Sequence, residues 1–436
     1  MTARAANNVV VGALLVALTV WGSPAWAGAS CQGLAATITG TNEGETLGGT
    51  AGDDVIVARG GDDVIDAKGG NDVICAGDGN DIVSGRTGSD RILGGLGSDT
   101  LTGHAGEDVV VGNDGDDQLF GGDSGDTLTG SVGNDELYGG TGTDFVRYAT
   151  SAAAVVVDLP AQTATGEGTD TLSSIEGVFG SAKADRLIGD GANNFFVGNA
   201  GDDTVIGAAG NDSINGGDGN DTADYSTSPR AVVADLLAKT ANGDGSDTFV
   251  SVETVVGSQF NDALRGTDGA DTLKGGTGND RVTGRNGNDS LDGGTGVDTV
   301  DYSQAATAVT VNLANRTATG QGIDQVVAFE RVTGSARSDT LAGGGSANTL
   351  LGGAGNDTIL GAGGNDTLEG GSGRDTMRGG DGADVLRGSD SADKLYGYAG
   401  RDTLRGGDGD DSLNGGSESD LCRQDAGSGT KTSCER

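Results

Sequence analysis

Residues 275–294 read "GGTGNDRVTGRNGNDSLDGG". Asp280 and Asp289 stand nine residues apart, each with glycine two places before it and an aliphatic residue, Val282 or Leu291, two places after it. A nine-residue period matches neither the 3.6-residue helix nor the strict alternation of an ordinary strand. It suits a chain that turns tightly and then runs straight. Glycine permits the left-handed backbone of a tight turn, aspartate puts a carboxylate there, and the aliphatic residue points inward from a short strand.

The register extends over most of the chain. From Asp54 it runs through Asp63, Asp72, Asp81, Asp90, Asp99, Asp108, Asp117, Asp126, Asp135 and Asp144, eleven positions without a slip. Throughout this run the residue two places after each Asp is Ile, Val or Leu, the residue five places before is Gly or Ala, and the residue two places before is Gly except at Ser124. The register resumes at Asp185, Asn194, Asp203, Asp212 and Asp221, and again at Asp262, Asp271, Asp280, Asp289 and Asp298. A last run covers Asp339, Asn348, Asp357, Asp366, Asp375, Asp384, Asp393, Asp402, Asp411 and Asp420. Of these 31 positions, 29 carry Asp and two carry Asn.

A longer period of 77 lies over the short one. Asp144, Asp221 and Asp298 are followed in turn by Tyr148, Tyr225 and Tyr302, by Leu159, Leu236 and Leu313, and by Glu176, Glu253 and Glu330. Each 77-residue unit contains a 41-residue insert that opens on "AVVVDL", "AVVADL" or "AVTVNL", alternating as a half-buried strand does. A further GxGxD group follows at Asp170, Asp247 and Asp324. The inserts are expected to be wider rungs or a small flap on the same repeat structure.

Composition restricts the function. The 436 residues include 86 Gly, 4% aromatics and a net charge of −39. Such a surface gains nothing from counterion release on DNA, RNA or anionic lipid, so no nucleic-acid partner and no membrane insertion are expected. One buried aliphatic side chain per nonad is a thin return for the entropy of ordering nine residues, and stacked carboxylates repel. The chain therefore needs a cation to fold. Calcium suits it, being a hard ion that takes about 6 to 8 oxygens in flexible geometry. Catalysis is not expected. The single His104 sits in the variable second position of a nonad and rules out an HExxH zinc site. A carboxylate pair for glycoside hydrolysis would lack the aromatic residues that line a sugar cleft.

Residues 1–27 have a basic Arg4, an apolar run from Val9 to Val20 and a small-x-small "AWA" at Ala25 to Ala27. This is the pattern of a secretory signal peptide, with an apolar run shorter than the ~20 residues a membrane span needs. A secreted, extracellular protein follows. Four cysteines remain, and of the three possible connectivities the most economical joins Cys31 to Cys75 and Cys422 to Cys434. Zinc binding is the alternative, disfavoured by one His and no CxxC.

The nonad G-G-x-G-x-D-x-U-x resembles the RTX, or haemolysin-type, calcium-binding repeat. The ending "DLCRQDAGSGTKTSCER" resembles the disulfide cap of small secreted calcium-binding proteins of actinobacterial type. The resemblance implies an all-β parallel β-roll, or β-helix solenoid, in which each nonad is half a turn and calcium lies between successive turns. Each Asp would pair with the one 18 residues on, such as Asp54 with Asp72, so that a run of n registers offers n minus 2 sites, about 23 in all. The 29 register aspartates are then the metal ligands. Asn194, Asn348, Ser124, Ser391 and Glu418 depart from the pattern locally.

The implied organisation is a signal peptide (1–27), an N-terminal cap (28–48), repeat blocks at 49–147, 181–224, 258–301 and 335–420, inserts at 148–180, 225–257 and 302–334, and a C-terminal cap (421–436). The implied function is a secreted calcium-binding repeat protein that folds on meeting calcium outside the cell. A calcium-dependent adhesin or surface-matrix protein, with a cell-surface or matrix partner, is the alternative.

Overall fold

The computed structural model describes residues 29–435; the signal-like segment 1–27 lies outside them. Every regular element among the described residues is a strand. In a regular nonad the strand begins directly after the Asp, as in Val109–Asp114 after Asp108 and Gln118–Asp123 after Asp117. Successive strands enter two different parallel ladders, so residues 18 apart become neighbours: Val110 pairs with Leu128 in the first ladder, and Leu119 with Leu137 in the second. One turn is two nonads.

The first ladder runs from Ile38–Thr39 to Leu421–Arg423 and holds 22 strands; the second runs from Thr46–Gly48 to Thr430–Thr432 and holds 24. Their end strands do not pair with one another, so both ladders are open. The protein is a parallel β-solenoid, as expected. Its core is a double column of aliphatic side chains. Ile74, Ile92, Val110 and Leu128 come from one ladder, and Val83, Leu101, Leu119 and Leu137 from the other, all with no exposed surface.

The second inward position of each strand, five residues before the next Asp, is the small residue that the sequence pattern requires. Between it and the Asp lies a backbone in the left-handed region, with φ of 80° at His104 and 79° at Asn113. Glycine holds the same place at Gly95 and Gly122. That conformation turns the chain out of one ladder and toward the other.

The inserts are rungs of the solenoid and not flaps. In the first, Val156–Asp158, Thr163–Thr165 and Thr169–Ser173 form an antiparallel meander inside the second ladder. Its last strand pairs in parallel with Glu136–Thr141, and its first with Arg186–Ile188. Three strands thus stand where a regular turn supplies one. The second insert does the same in the first ladder, and the third returns to the second ladder. The alternation follows from an odd number of half-turns per 77-residue unit. Each meander reverses on a left-handed residue, Gln162, Lys239 or Arg316, whose amide donates to the carbonyl of Leu159, Leu236 or Leu313.

Two disulfides staple the ends. Cys31, on a short hairpin, joins Cys75 with Cα atoms 5.8 Å apart, and Cys422 joins Cys434 at 5.7 Å. No free thiol remains to hold zinc.

Because each rung rests on one aliphatic side chain, Leu128→Ala should cost about 2–5 kcal/mol, the range for deleting a buried leucine. Thr127→Ala, on the half-exposed outer face, should cost within about 0.5 kcal/mol. Denaturant unfolding with calcium in excess measures both.

Candidate metal centres

The Asn-Asp pair at the turn has a definite task. An extended turn leaves backbone amides pointing along the solenoid axis, where a buried donor must find an acceptor. Within the blocks the amide of a register residue donates to the Oδ1 of the Asp one turn ahead: Asp72 to Asp90 at 2.8 Å, Asp90 to Asp108 at 2.7 Å, and so on to Asp402 and Asp420 at 2.9 Å. Where an insert follows, Asp144, Asp221 and Asp298 donate instead to Oε2 of Glu176, Glu253 and Glu330. The residue just before it works in the opposite direction. The Asn80 amide donates to Asp62 Oδ1 at 2.9 Å, and the Ser98 amide to Asn80 Oδ1 at 2.8 Å. One side chain caps the rung behind and its neighbour caps the rung ahead. The nine-residue register marks only the second of the pair; the signal for the first is the recurring Asn or Asp before the register Asp.

This arrangement uses one carboxylate oxygen and leaves the other. Among the described residues, 23 of the 29 register aspartates have a buried Oδ2 without any hydrogen-bond partner: Asp63 through Asp144, Asp203, Asp212, Asp221, Asp280, Asp289, Asp298, Asp357 through Asp402, and Asp420. The orphaned oxygen does not point into apolar core. A Cβ built on Gly85 would stand 2.2 Å from Asp90 Oδ2 and 3.0 Å from the carbonyl oxygen of Gly103, and the same cradle recurs at Gly112 with Asp117 Oδ2 and the Gly130 carbonyl. Carboxylate and carbonyl oxygens therefore crowd a space that glycine keeps open. At Ala58, Ala67 and Ala76 a methyl group already occupies it, before Asp63, Asp72 and Asp81.

The other six register aspartates are satisfied by the protein itself. Asp54 and Asp271 accept from the amide and hydroxyl of Thr50 and Thr267, and Asp185, Asp262 and Asp339 from those of Ser181, Ser258 and Ser335. Asp411 Oδ2 accepts from Gln424 Nε2 at 2.8 Å. The signal was legible: Ser or Thr stands four residues before five of these six. Asn194 and Asn348 are likewise complete, each amide oxygen accepting a nearby backbone N–H and each amide nitrogen donating to the Glu176 or Glu330 carbonyl. The departures at Ser124, Ser391 and Glu418 adopt the left-handed φ of the glycine they replace, and the following Asp126, Asp393 and Asp420 keep the orphaned oxygen.

Burial makes these carboxylates reluctant to ionise. It pushes Asp90, Asp99, Asp126, Asp203, Asp280 and Asp357 up to about 7 from an ordinary 3.8, and Asp81, Asp117, Asp384 and Asp402 to about 6. The amide bond to each carboxylate opposes the rise, and register aspartates one turn away add to it. No three His, Cys, Asp or Glu side chains converge among the described residues. What converges is one carboxylate oxygen with backbone carbonyls. That donor set fits a hard, oxygen-seeking dication, and calcium more readily than magnesium, which demands near-ideal octahedral geometry. Asp Oδ2 and the turn carbonyls would hold it, and its charge would let the buried carboxylates ionise.

Two outcomes follow. A carboxyl whose folded pKa lies above its unfolded value stabilises the fold fully below about pH 3.8, and that contribution is lost as pH rises through about 6–7. Calcium-stripped protein should thus show more β signal by circular dichroism at pH 5 than at pH 8, and the calcium midpoint should rise on acidification as protons compete. Second, Gly103→Ala puts a methyl 2.2 Å from where Asp108 Oδ2 stands and must displace it. Bound calcium, counted by equilibrium dialysis, should fall by about one ion per chain, while the loaded protein keeps its β spectrum.

Comparison with known families agrees with this geometry. The model of the RTX calcium-binding nonapeptide repeat (4 copies) matches in overlapping windows that together span 39–146, 178–223, 265–300 and 333–422, well over half of the chain. The unmatched stretches fall mainly on the three inserts and the two ends, with residues 258–264 of the third block. Among curated proteins, none matches the chain. The repeats of this family bind calcium, and the solenoid they build is of a structural type. The regular nonads, their register and the breadth of the match lead to one assignment: this chain belongs to the family of RTX calcium-binding nonapeptide repeat proteins.

Proposed function

We propose that the chain is a secreted protein whose biochemical activity is calcium binding itself, without catalysis, and that it completes its fold only when it meets calcium outside the cell. The observation that carries this reading is the row of buried aspartates with one oxygen unpartnered, set where glycine leaves room for an ion. A buried carboxylate with neither proton nor counter-charge is costly, and the cost is repeated at every turn of the blocks. Calcium supplies the missing charge; where it is scarce, the net charge of −39 favours an extended chain.

Secretion is supported by residues 1–27 and by the two disulfides, which persist in oxidising compartments. The acidic surface leaves cations as its natural ligands and gives nucleic acid and anionic membranes no purchase. The register aspartates that combine a free Oδ2 with glycine five places before them are the proposed ligands, which leaves out Asp63, Asp72 and Asp81 behind Ala58, Ala67 and Ala76. The six capped ones, although the sequence pattern includes them, are not needed for the metal.

Titration with calcium, followed by far-UV circular dichroism at pH 7.5, should convert a mostly unordered spectrum to a β spectrum in a cooperative step reversed by chelator. Magnesium at the same concentrations should leave it largely unchanged. A full β spectrum without calcium would refute the proposal.

A further inference from the structure

The capped carboxylates are not scattered. They collect at the two ends and in three spans that repeat at the 77-residue period: residues 148–194, 225–271 and 302–348. Within each span, no carboxylate that takes the register role keeps a buried oxygen without a partner. The Tyr148 hydroxyl donates to Asp170 Oδ2 at 2.8 Å, Tyr225 to Asp247 at 2.8 Å and Tyr302 to Asp324 at 2.9 Å, while the Oδ1 of each accepts the amide of Asp135, Asp212 or Asp289 from the rung before. Glu176, Glu253 and Glu330 replace Asp and accept the amides of Asp144, Asp221 and Asp298. The next register, Asp185, Asp262 or Asp339, is capped by serine, and the one after it is Asn194, the threonine-capped Asp271 or Asn348. Asp244, outside the register, is the one carboxylate in these spans with a buried, partnerless oxygen.

A second observation points the same way. A regular nonad buries one large apolar side chain, whereas the first insert buries Tyr148, Val155, Val157, Leu159, Leu172 and Ile175 within 28 residues. The other two inserts are similarly rich, with Tyr225, Val232, Leu236 and Phe249 in one and Tyr302, Val309, Val326 and Phe329 in the other. Their antiparallel meanders also close local contacts that need no distant rung. These spans have what the blocks lack: a core, and an internal donor where the blocks would need a cation.

We propose that the three spans fold without calcium and stand as preformed islands against which the calcium-dependent blocks complete their turns. The proposal rests on the reading of the blocks as calcium-folded. It gives the long period a purpose. A solenoid nucleates with difficulty and extends readily from an existing rung, so three internal templates and two disulfide-stapled ends leave no long stretch to start from nothing.

Hydrogen exchange with mass spectrometry on the full, disulfide-intact chain tests this, in calcium-stripped buffer and in calcium at pH 7.5. Peptides from 148–194, 225–271 and 302–348 should be protected in both conditions, and peptides from 81–126 and 357–402 only with calcium. If the three spans exchange freely without calcium while every region gains protection with it, the islands are disproved and the calcium-folded reading stands. If all regions are protected in both, that reading fails and the islands fail with it. A triple variant, Tyr148→Phe, Tyr225→Phe and Tyr302→Phe, leaves each Asp with an orphaned oxygen like those of the blocks. Its insert peptides should exchange about tenfold faster or more without calcium, as the loss of a hydrogen bond to a charged acceptor implies. Unchanged rates would show that the caps do not hold the islands.

Discussion

A carboxylate has two oxygens, and in the regular turns of this solenoid the protein satisfies only one of them. The Oδ1 of each register Asp accepts the backbone amide of the rung behind, a bond the fold requires because the amide is buried. The Oδ2 is left beside a carbonyl in a space that a single methyl group would fill. The same residue thus builds the ladder and spoils it. Nothing in a regular nonad relieves the conflict, since one aliphatic side chain per nine residues provides little surplus. On the function proposed above, stability in the blocks depends on a charge from outside the chain.

Seen this way, the two kinds of turn are two answers to one electrostatic problem. In the blocks the proposed answer is an ion: the backbone is left-handed at residues such as His104 and Asn113, and the Oδ2 of Asp108 and Asp117 four residues on receives no bond of the kind the Thr50 amide gives Asp54. In the inserts and at the ends the answer is a protein donor: a tyrosine hydroxyl, a serine or threonine with its own amide, or a glutamine. As proposed, the first answer makes the fold conditional on its surroundings, and the second keeps parts of it unconditional. The arrangement also explains why a chain with a net charge of −39 can have so regular an interior.

Much of this is legible in the sequence. The nonad period determines the half-turn, the aliphatic residue after each Asp marks the core, and the separation of 18 marks the rung partner; Val110 and Leu128 meet as the spacing requires. End-local cysteine pairing was likewise the economical choice, and it is the pairing found. Harder to read was the division of labour within Asn-Asp, because the spacing records that a polar side chain is present and not which rung its oxygen faces. From the sequence the inserts fit rungs and flaps alike. Their alternating Val residues marked strands, but strand direction depends on the tight reversal at Gln162, Lys239 and Arg316, residues without a turn signature of their own. The capping serines and threonines four residues before the Asp were visible, yet Ser131 and Ser389 occupy the same place in left-handed form and do not cap. Backbone conformation, and not residue type alone, decides.

The central claim is that calcium sits against the aspartate oxygens the protein leaves unpartnered, and nowhere that it supplies its own donor. Anomalous diffraction from crystals grown in calcium tests it most directly. The account predicts calcium peaks about 2.3–2.6 Å from the Oδ2 of the glycine-flanked series Asp90 to Asp144, and no peak at Asp170, Asp185, Asp247 or Asp262. Ions at the capped carboxylates, or a fully ordered solenoid without ions beside Asp90 to Asp144, would contradict it.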